Sequence, residues 1–450
     1  MASRILSYLS NNLIATVLSF ALQALIRLGS SMVLTRILLP EAYGIITIIT
    51  SIAFVVEMIA DTNATLFIIR EENGDQPRYV NTAWTIQISR AVFNSAILFL
   101  LAPLVATWIY HLPALIAPMR VFSLSFIIGG LQSMSFPLAI RRKQARIIVY
   151  SELAAAFASA LFSVGYCYFY RNYWGMIYGI LINRALLSLL SRQFYPDLVP
   201  RFQFDRAAAR DLLGLSKYTM PSSVLTLVIN QFDKVIFLRL FDLRLLGIYG
   251  LAGNIAGSVS SLISKISQTV LYPRCAHSFR TNRSGFALAY YRDNIKLFIS
   301  MMLLPAALGG AAQLVITILY PATYAQAGVV LQAFMMRAGI LAFAAPAEDL
   351  LIAAGDYKVI LHGNVFRVIA LFGASLVGYR LFGFLGFVYG TALSGMAPLA
   401  YYWWLQRRNK MMILKYEAYK LGFALVLTLS AHLTSGVILH LWPTISLRHL

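Results

Sequence analysis

Charged side chains sit where this sequence is otherwise oily. Arg27, Arg90, Arg184, Arg337 and Arg367 fall inside apolar stretches, Lys265 lies near the end of another, and Glu57, Asp61 and Asp233 add carboxylates of the same kind. A charge at the centre of a bilayer costs about 2.5–3.5 kcal/mol on insertion scales, so such a residue faces a partner, water or a bound molecule. The planar fork of arginine suits phosphate oxygens, which it binds two at a time. Gln23, Asn230 and stripes of Ser, Thr and Asn suit hydroxyl groups. Arg27, Gln23, Arg90, Arg184, Asn230, Lys265, Arg337 and Arg367 are therefore the candidates to line a substrate cavity, with Glu57, Asp61 and Asp233 as coupling or ion-pairing carboxylates. Two readings of Arg27 stand side by side: a buried pair with Glu57 or Asp61, or a cavity wall. Lys265 and the Asp233–Lys234 pair also fit snorkelling toward the interface. The Ser/Thr/Asn stripes also fit a role as glue between helices.

Enzyme chemistry is not suggested. Six histidines are scattered without ligand spacing, and Cys167 and Cys275 form no framework. No glycine-rich phosphate loop is present. The expectation is a chain without catalytic residues, metal or cofactor.

The elements that must carry these residues are membrane helices. The 450 residues are 59% hydrophobic and 12% charged, with a mean hydropathy of +0.72. A net charge of +20 reads here as the excess of Lys and Arg in cytoplasmic loops, not as a nucleic-acid surface. Thirteen apolar segments are legible, near 11–35, 43–66, 82–108, 116–139, 148–170, 173–193, 216–238, 246–270, 294–319, 326–352, 358–379, 383–405 and 417–441. Twenty basic residues fall on one side of this pattern and six on the other, which predicts a cytoplasmic N-terminus. The first segment carries Arg27 and lacks a small-residue cleavage pattern, so it is expected to remain as a span.

The chain also repeats itself. Shifted by 203 positions, Arg36 and Gly44–Ile45 fall on Arg239 and Gly247–Ile248, and Arg27 falls on Asn230. Thr16, Ser19, Gln23 and Ser30 fall on Thr219, Ser222, Thr226 and Asp233, each set lying on one face of a helix. Six spans separate the copies, so both enter the membrane from the same side. This predicts an all-α polytopic membrane protein of two six-helix lobes, related by a parallel pseudo-two-fold repeat around a central cavity, plus a C-terminal helix or helices. The expected divisions are 1–195, an amphipathic connector at 196–215, 216–405, and an extra span at 406–450. Pro and Gly within the spans, among them Gly129-Gly130, Pro346 and Gly383/Gly386/Gly390, fit kinks, close helix contacts or bending points.

Leu38-Leu-Pro-Glu-Ala-Tyr-Gly44, Phe232-Asp-Lys-Val-Ile236, Leu246-Gly-Ile-Tyr-Gly-Leu-Ala252 and Leu271-Tyr-Pro273 resemble, in order and spacing, the polysaccharide transporters. These are oligosaccharide flippases of the multidrug/oligosaccharidyl-lipid/polysaccharide (MOP) exporter superfamily. The resemblance covers nearly the whole chain. It implies a multi-pass protein of the bacterial inner membrane that moves a polyprenyl-pyrophosphate-linked oligosaccharide outward for surface polysaccharide synthesis. The expected partners are that lipid-linked substrate, membrane lipid, a polysaccharide polymerase and chain-length proteins, with the chain itself a monomer. A drug/cation antiporter of the same superfamily would call for an acidic cavity. A membrane polymerase or ligase would call for a large periplasmic loop, and the loops here are short.

Overall fold

The computed structural model describes residues 21–59, 64–71, 73–142, 144–193, 201–212, 228–234, 236–237, 240–281, 285–356 and 358–446. Among them every regular element is helical. In order these are α1 (21–37), α2 (Pro40–Ile59), α3 (Ala64–Arg70), α4 (Pro77–Leu104), α5 (Ile116–Gly130), α6 (Ser135–Arg141), α7 (Ala145–Tyr170), α8 (Trp174–Gln193) and α9 (206–212). After a helical stretch at 228–234 come α10 (Leu243–Ile266), α11 (Tyr272–Thr281), α12 (Phe286–Gly310), α13 (Ala312–Leu319), α14 (Ala327–Ala353), α15 (Lys358–Leu393), α16 (Met396–Arg408) and α17 (Leu414–Ser446). Pro40 and Pro77 open their helices, where a missing N–H leaves no bond unmade.

Nine helical stretches among the described residues are long and apolar enough to cross a membrane. A further pair, α12 and α13, meets that standard together across a bend of 66°. One of the nine, Lys358–Arg408, is 51 residues long and carries the two apolar segments expected at 358–379 and 383–405. The chain reverses at Gly383, whose φ of 60° lies in the left-handed region. The arms then touch through backbone: a Cβ on Gly378 would stand 2.1 Å from the Gly386 carbonyl, and one on Gly390 2.2 Å from that of Ala374. Helices lacking a hydrophobic drive to associate in lipid gain from such close approach. The expected first and seventh spans fall partly outside the described residues.

The chain divides into two compact units, Met1–Leu246 and Gly247–Leu450. In the first, α4 packs on α5, and α7 and α5 on α8. Phe67, Tyr79, Trp84 and Leu138 belong to a buried cluster that also takes in Ala208 and Leu212 of α9. The predicted connector helix thus turns its apolar side to protein.

The extended residues before α9 run along the start of α4, and α4 side chains satisfy their backbone. The Arg201 amide donates to Asn81 Oδ1 (3.1 Å), that of Gln203 to Thr85 Oγ1 (3.2 Å) and that of Asp205 to Thr82 Oγ1 (3.0 Å). Asp205 then caps α9 by accepting the Ala208 amide at 2.8 Å.

In the second unit α14 is the centre, with α12, α15, α16 and α11 around it, and α17 lies along α12.

Candidate functional site

A cavity of about 150 Å³ lies inside the first unit. Its wall is built first from α4, where Gln87, Arg90 and Asn94 stand at steps of three and four and so share one face. Glu57 on α2 and Arg184 on α8 complete the charged lining. Two guanidiniums against one carboxylate make the cavity basic.

The remaining wall is a broken helix. The fourth apolar segment stops as α5 at Gly130 and resumes as α6 at Ser135, which frees carbonyls at the α5 end. Gln87 Nε2 takes two of them, donating to Gly130 O at 3.0 Å and Gln132 O at 2.9 Å. Ser191 on α8 pins the other side of the break: its hydroxyl accepts the Ser133 amide at 2.9 Å, and its carbonyl accepts from the Ser135 hydroxyl. Irregular backbone at membrane depth is tolerated where it lines a cavity and is satisfied in this way.

Gly130 also sets how near α4 and α5 come, since a Cβ there would stand 2.3 Å from that of Ala91, between Arg90 and Asn94. Arg184 lies across Gly129, its Cδ 3.5 Å from where a Cβ would be. Asn94 is 2% exposed, and its amide oxygen has no hydrogen-bond partner among the described residues.

Glu57, Arg90 and Arg184 are thus brought together. Gln23 instead donates to Glu152 Oε2 at 3.0 Å, tying α1 to α7. Arg27, one turn on, is exposed. Asn230 is exposed, whereas Asp233 is 3% exposed and accepts the Lys234 amide at 2.9 Å. Asp61 lies outside the described residues.

Lys265 closes α10 half-buried. Arg337 on α14 and Arg367 on α15 are half-buried electrostatic neighbours in the second unit, together with Glu348 and Tyr402.

Several polar groups of the second unit had no place in the sequence reading. Asp349, 8% exposed, accepts from the Ser267 hydroxyl. Lys420 donates to Glu417 at 2.6 Å, and Tyr291 donates to the same carboxylate at 2.7 Å. The Lys420 ammonium stands 5.0–5.4 Å from the ring centres of Phe298, Tyr291 and Phe343. Two signals were available: adjacent acids in the run 326–352, and an acid–base pair three residues apart at the head of the last span. Cys275, in the connector α11, is free and buried; burial and the nearby Asp349 charge push its thiol up. Among the described residues no group of three or more His, Cys, Asp or Glu side chains is placed to hold a metal ion.

A model of polysaccharide biosynthesis proteins matches residues 33–328. The chain is 26% identical over 255 residues to an uncharacterized membrane protein in the cps region of Klebsiella pneumoniae, covering 54% of this chain and 50% of that one. It therefore spans about half the length of that relative. With the succinoglycan biosynthesis transport protein ExoT of Rhizobium meliloti it shares 22% identity over 363 residues, 77% of this chain and 69% of the other.

Among solved structures, the lipid II flippase MurJ in an inward closed conformation superposes with a TM-score of 0.67 at 14% identity, covering 95% of this chain and 92% of MurJ. An inward-facing multidrug resistance MATE family transporter of the MOP superfamily gives 0.68 at 13% identity, covering 88% and 95%. At these identities the likeness is one of fold.

Proposed function

The chain belongs to the polysaccharide biosynthesis protein family and has the fold of MOP-type transporters, and from that premise we propose that it is a flippase for a lipid-linked saccharide. The substrate is a polyprenyl-pyrophosphate-linked oligosaccharide, and the direction is from the cytoplasmic to the periplasmic leaflet. The observation that carries this reading is the basic cavity among membrane helices, where Arg90 and Arg184 stand beside the neutral amides of Gln87 and Asn94. Guanidiniums attract the phosphates and amides match sugar hydroxyls. The prenyl tail stays in lipid while the head enters the protein.

With the N-terminus cytoplasmic, as the loop charges suggest, a negative interior assists outward movement of the anionic head. The assistance amounts to about 2.3 kcal/mol per charge per 100 mV. Arg27 and Asn230, equivalent under the sequence repeat, are assigned to the path of the head between loading and release. A cationic-drug antiporter is the weaker reading, because two arginines in the cavity repel its cargo.

The test is polymer export in cells that depend on this chain, measured with membrane abundance. Arg90→Gln with Arg184→Gln is expected to leave abundance unchanged, lower export at least tenfold, and accumulate lipid-linked oligosaccharide facing the cytoplasm. Unchanged export in that double variant would falsify the flippase reading.

A further inference from the structure

The turn between α16 and α17 carries exposed charge of one sign. Arg407, Arg408, Lys410 and Lys415 are all exposed, and they cluster where one apolar stretch ends, at Arg408, and the next begins, at Leu414. When those stretches cross a bilayer, the four cations stand at the level of the headgroups. Among the described residues none of the four is paired with a carboxylate. The acid that follows them, Glu417, is 4% exposed and engaged by Lys420 and Tyr291. At the head of α15, which packs on α16, Lys358 is a further exposed cation, while Asp356 is half-buried near Tyr401.

These cations are presented by a bonded turn. The amides of Asn409, Lys410, Met411 and Met412 all donate to carbonyls of the last turn of α16, at 2.8–3.2 Å, and Lys410 makes the reversal with a left-handed φ of 54°. Beside them runs a row of rings. The Arg408 guanidinium lies 5.6 Å from the Trp404 ring centre, Trp404 stacks on Tyr401, and Tyr401 meets Phe366 at 5.0 Å. The Tyr401 hydroxyl also pairs with His362 Nδ1 at 2.9 Å. Trp404 is 55% exposed and Phe366 43%, although both lie within the apolar stretch. Rings so placed meet lipid, at the depth where an apolar body and a polar edge are both accommodated.

We propose that this turn is a binding site for an anionic phospholipid. Arg408 and Lys410 hold the phosphate, with Arg407 and Lys415 beside it, and Trp404 and Phe366 receive the upper part of the acyl chains. Basic clusters at the end of a membrane helix attract anionic headgroups in proportion to the number of charges. A zwitterionic headgroup brings its own cation to a place that offers no exposed acid, so a lipid of net negative charge is preferred. An acidic segment of another protein would match the cations alone, because the rings belong to the part of the chain that lies in lipid. A lipid held here joins the ends of two spans with different neighbours, since α16 packs on α14 and α15 and α17 along α12. It fixes the depth at which both spans end.

The experiment places the purified full chain in phosphatidylcholine nanodiscs doped with either phosphatidylglycerol or phosphatidylcholine brominated near the top of its chains. Quenching of Trp404 is read as the difference between the wild type and Trp404→Phe. Brominated phosphatidylglycerol is expected to half-quench that signal at a mole fraction about tenfold lower than brominated phosphatidylcholine does. Arg407→Gln, Arg408→Gln, Lys410→Gln and Lys415→Gln together should erase the margin and leave quenching by phosphatidylcholine unchanged. Arg201→Gln, Arg206→Gln and Arg210→Gln together, in and before α9, should keep it. Arg407→Gln with Lys415→Gln serves if the fourfold variant does not fold.

Equal quenching by the two lipids in the wild type overturns the proposal without any variant. So does a margin that survives the fourfold replacement, or one that the α9 variant removes as completely, which would assign the attraction to the charge of the whole chain. Displacement of phosphatidylglycerol by soluble poly-glutamate at physiological salt would make the turn a protein contact and overturn it too. Export by the Arg90/Arg184 variant tests the flippase reading separately.

Discussion

The two units both carry charge into membrane helices, and they surround it differently. In the second unit one buried pair of opposite charges meets directly. Lys420 is 1% exposed, in contact with Glu417 and ringed by three aromatic faces, while Tyr291 donates to the same carboxylate. The Gln406 amide, fully buried beside them, donates to the Ala347 carbonyl at 3.0 Å. In the first unit Arg90, Arg184 and Glu57 line a cavity, and the buried Asn94 amide oxygen of the same wall has no hydrogen-bond partner among the described residues. Desolvating an ion is repaid by a close counter-ion and hydrogen bonds, or else by something that enters from outside. Residue type alone does not separate these cases. What surrounds the charge does.

Breaking the paired side should have the largest effect. Glu417→Gln or Lys420→Met alone strands a buried charge, with an expected loss of about 3–5 kcal/mol of stability. The double replacement should recover most of it. Thermal unfolding of the purified protein checks this, and a double variant as unstable as either single one would show that the pair does not act as a unit.

An intermediate effect is expected at the wall of the open site. Gly130→Val drives a branched side chain into Ala91, at a cost of about 1–3 kcal/mol. By wedging α4 from α5 it should displace Arg90 and Asn94 and lower export more than the stability loss accounts for. Export normalised to folded protein measures the difference; proportional losses would mean that helix spacing does not shape the cavity.

The smallest stability effect is expected at Arg27, which is exposed. Arg27→Ala should change stability by less than about 0.5 kcal/mol while strongly reducing export. A loss near 3 kcal/mol would instead place Arg27 with the paired charges.

How much of this was legible in the sequence follows from the range of each interaction. The spans could be read because length and oiliness are local. Arg90 and Arg184 stood out because arginine is costly in lipid, while Gln87, at helical spacing on the same face as Arg90, was not singled out. That these two share a cavity with Glu57 could not be read, since three separate helices bring them together.

The Lys420 cage was invisible for the same reason. Its partner Tyr291 lies more than a hundred residues away, and at the head of a span Glu417 and Lys420 look like ordinary interfacial residues. The bend between α12 and α13 falls at Gly309-Gly310, which with Pro305 fitted a kink by residue type, while its size of 66° did not follow from them. Gly386 and Gly390 were legible as close-contact or kink residues, whereas Gly378 was not singled out. That all three zip together two arms of one hairpin was not legible.

That hairpin bears on how the protein is made. Residues 358–408 fold back on themselves around a turn at Gly383, two apolar arms that meet backbone to backbone with little side chain between them. Their attraction is available as soon as both arms exist, before α17 has been synthesised. The pair is suited to leave the insertion machinery as one piece, the earlier arm waiting at the lateral exit until the later one can close on it. A bulky residue at Gly386 would then act during biogenesis, by releasing the first arm into lipid alone, and its mark would be misinserted chain rather than a slower transporter.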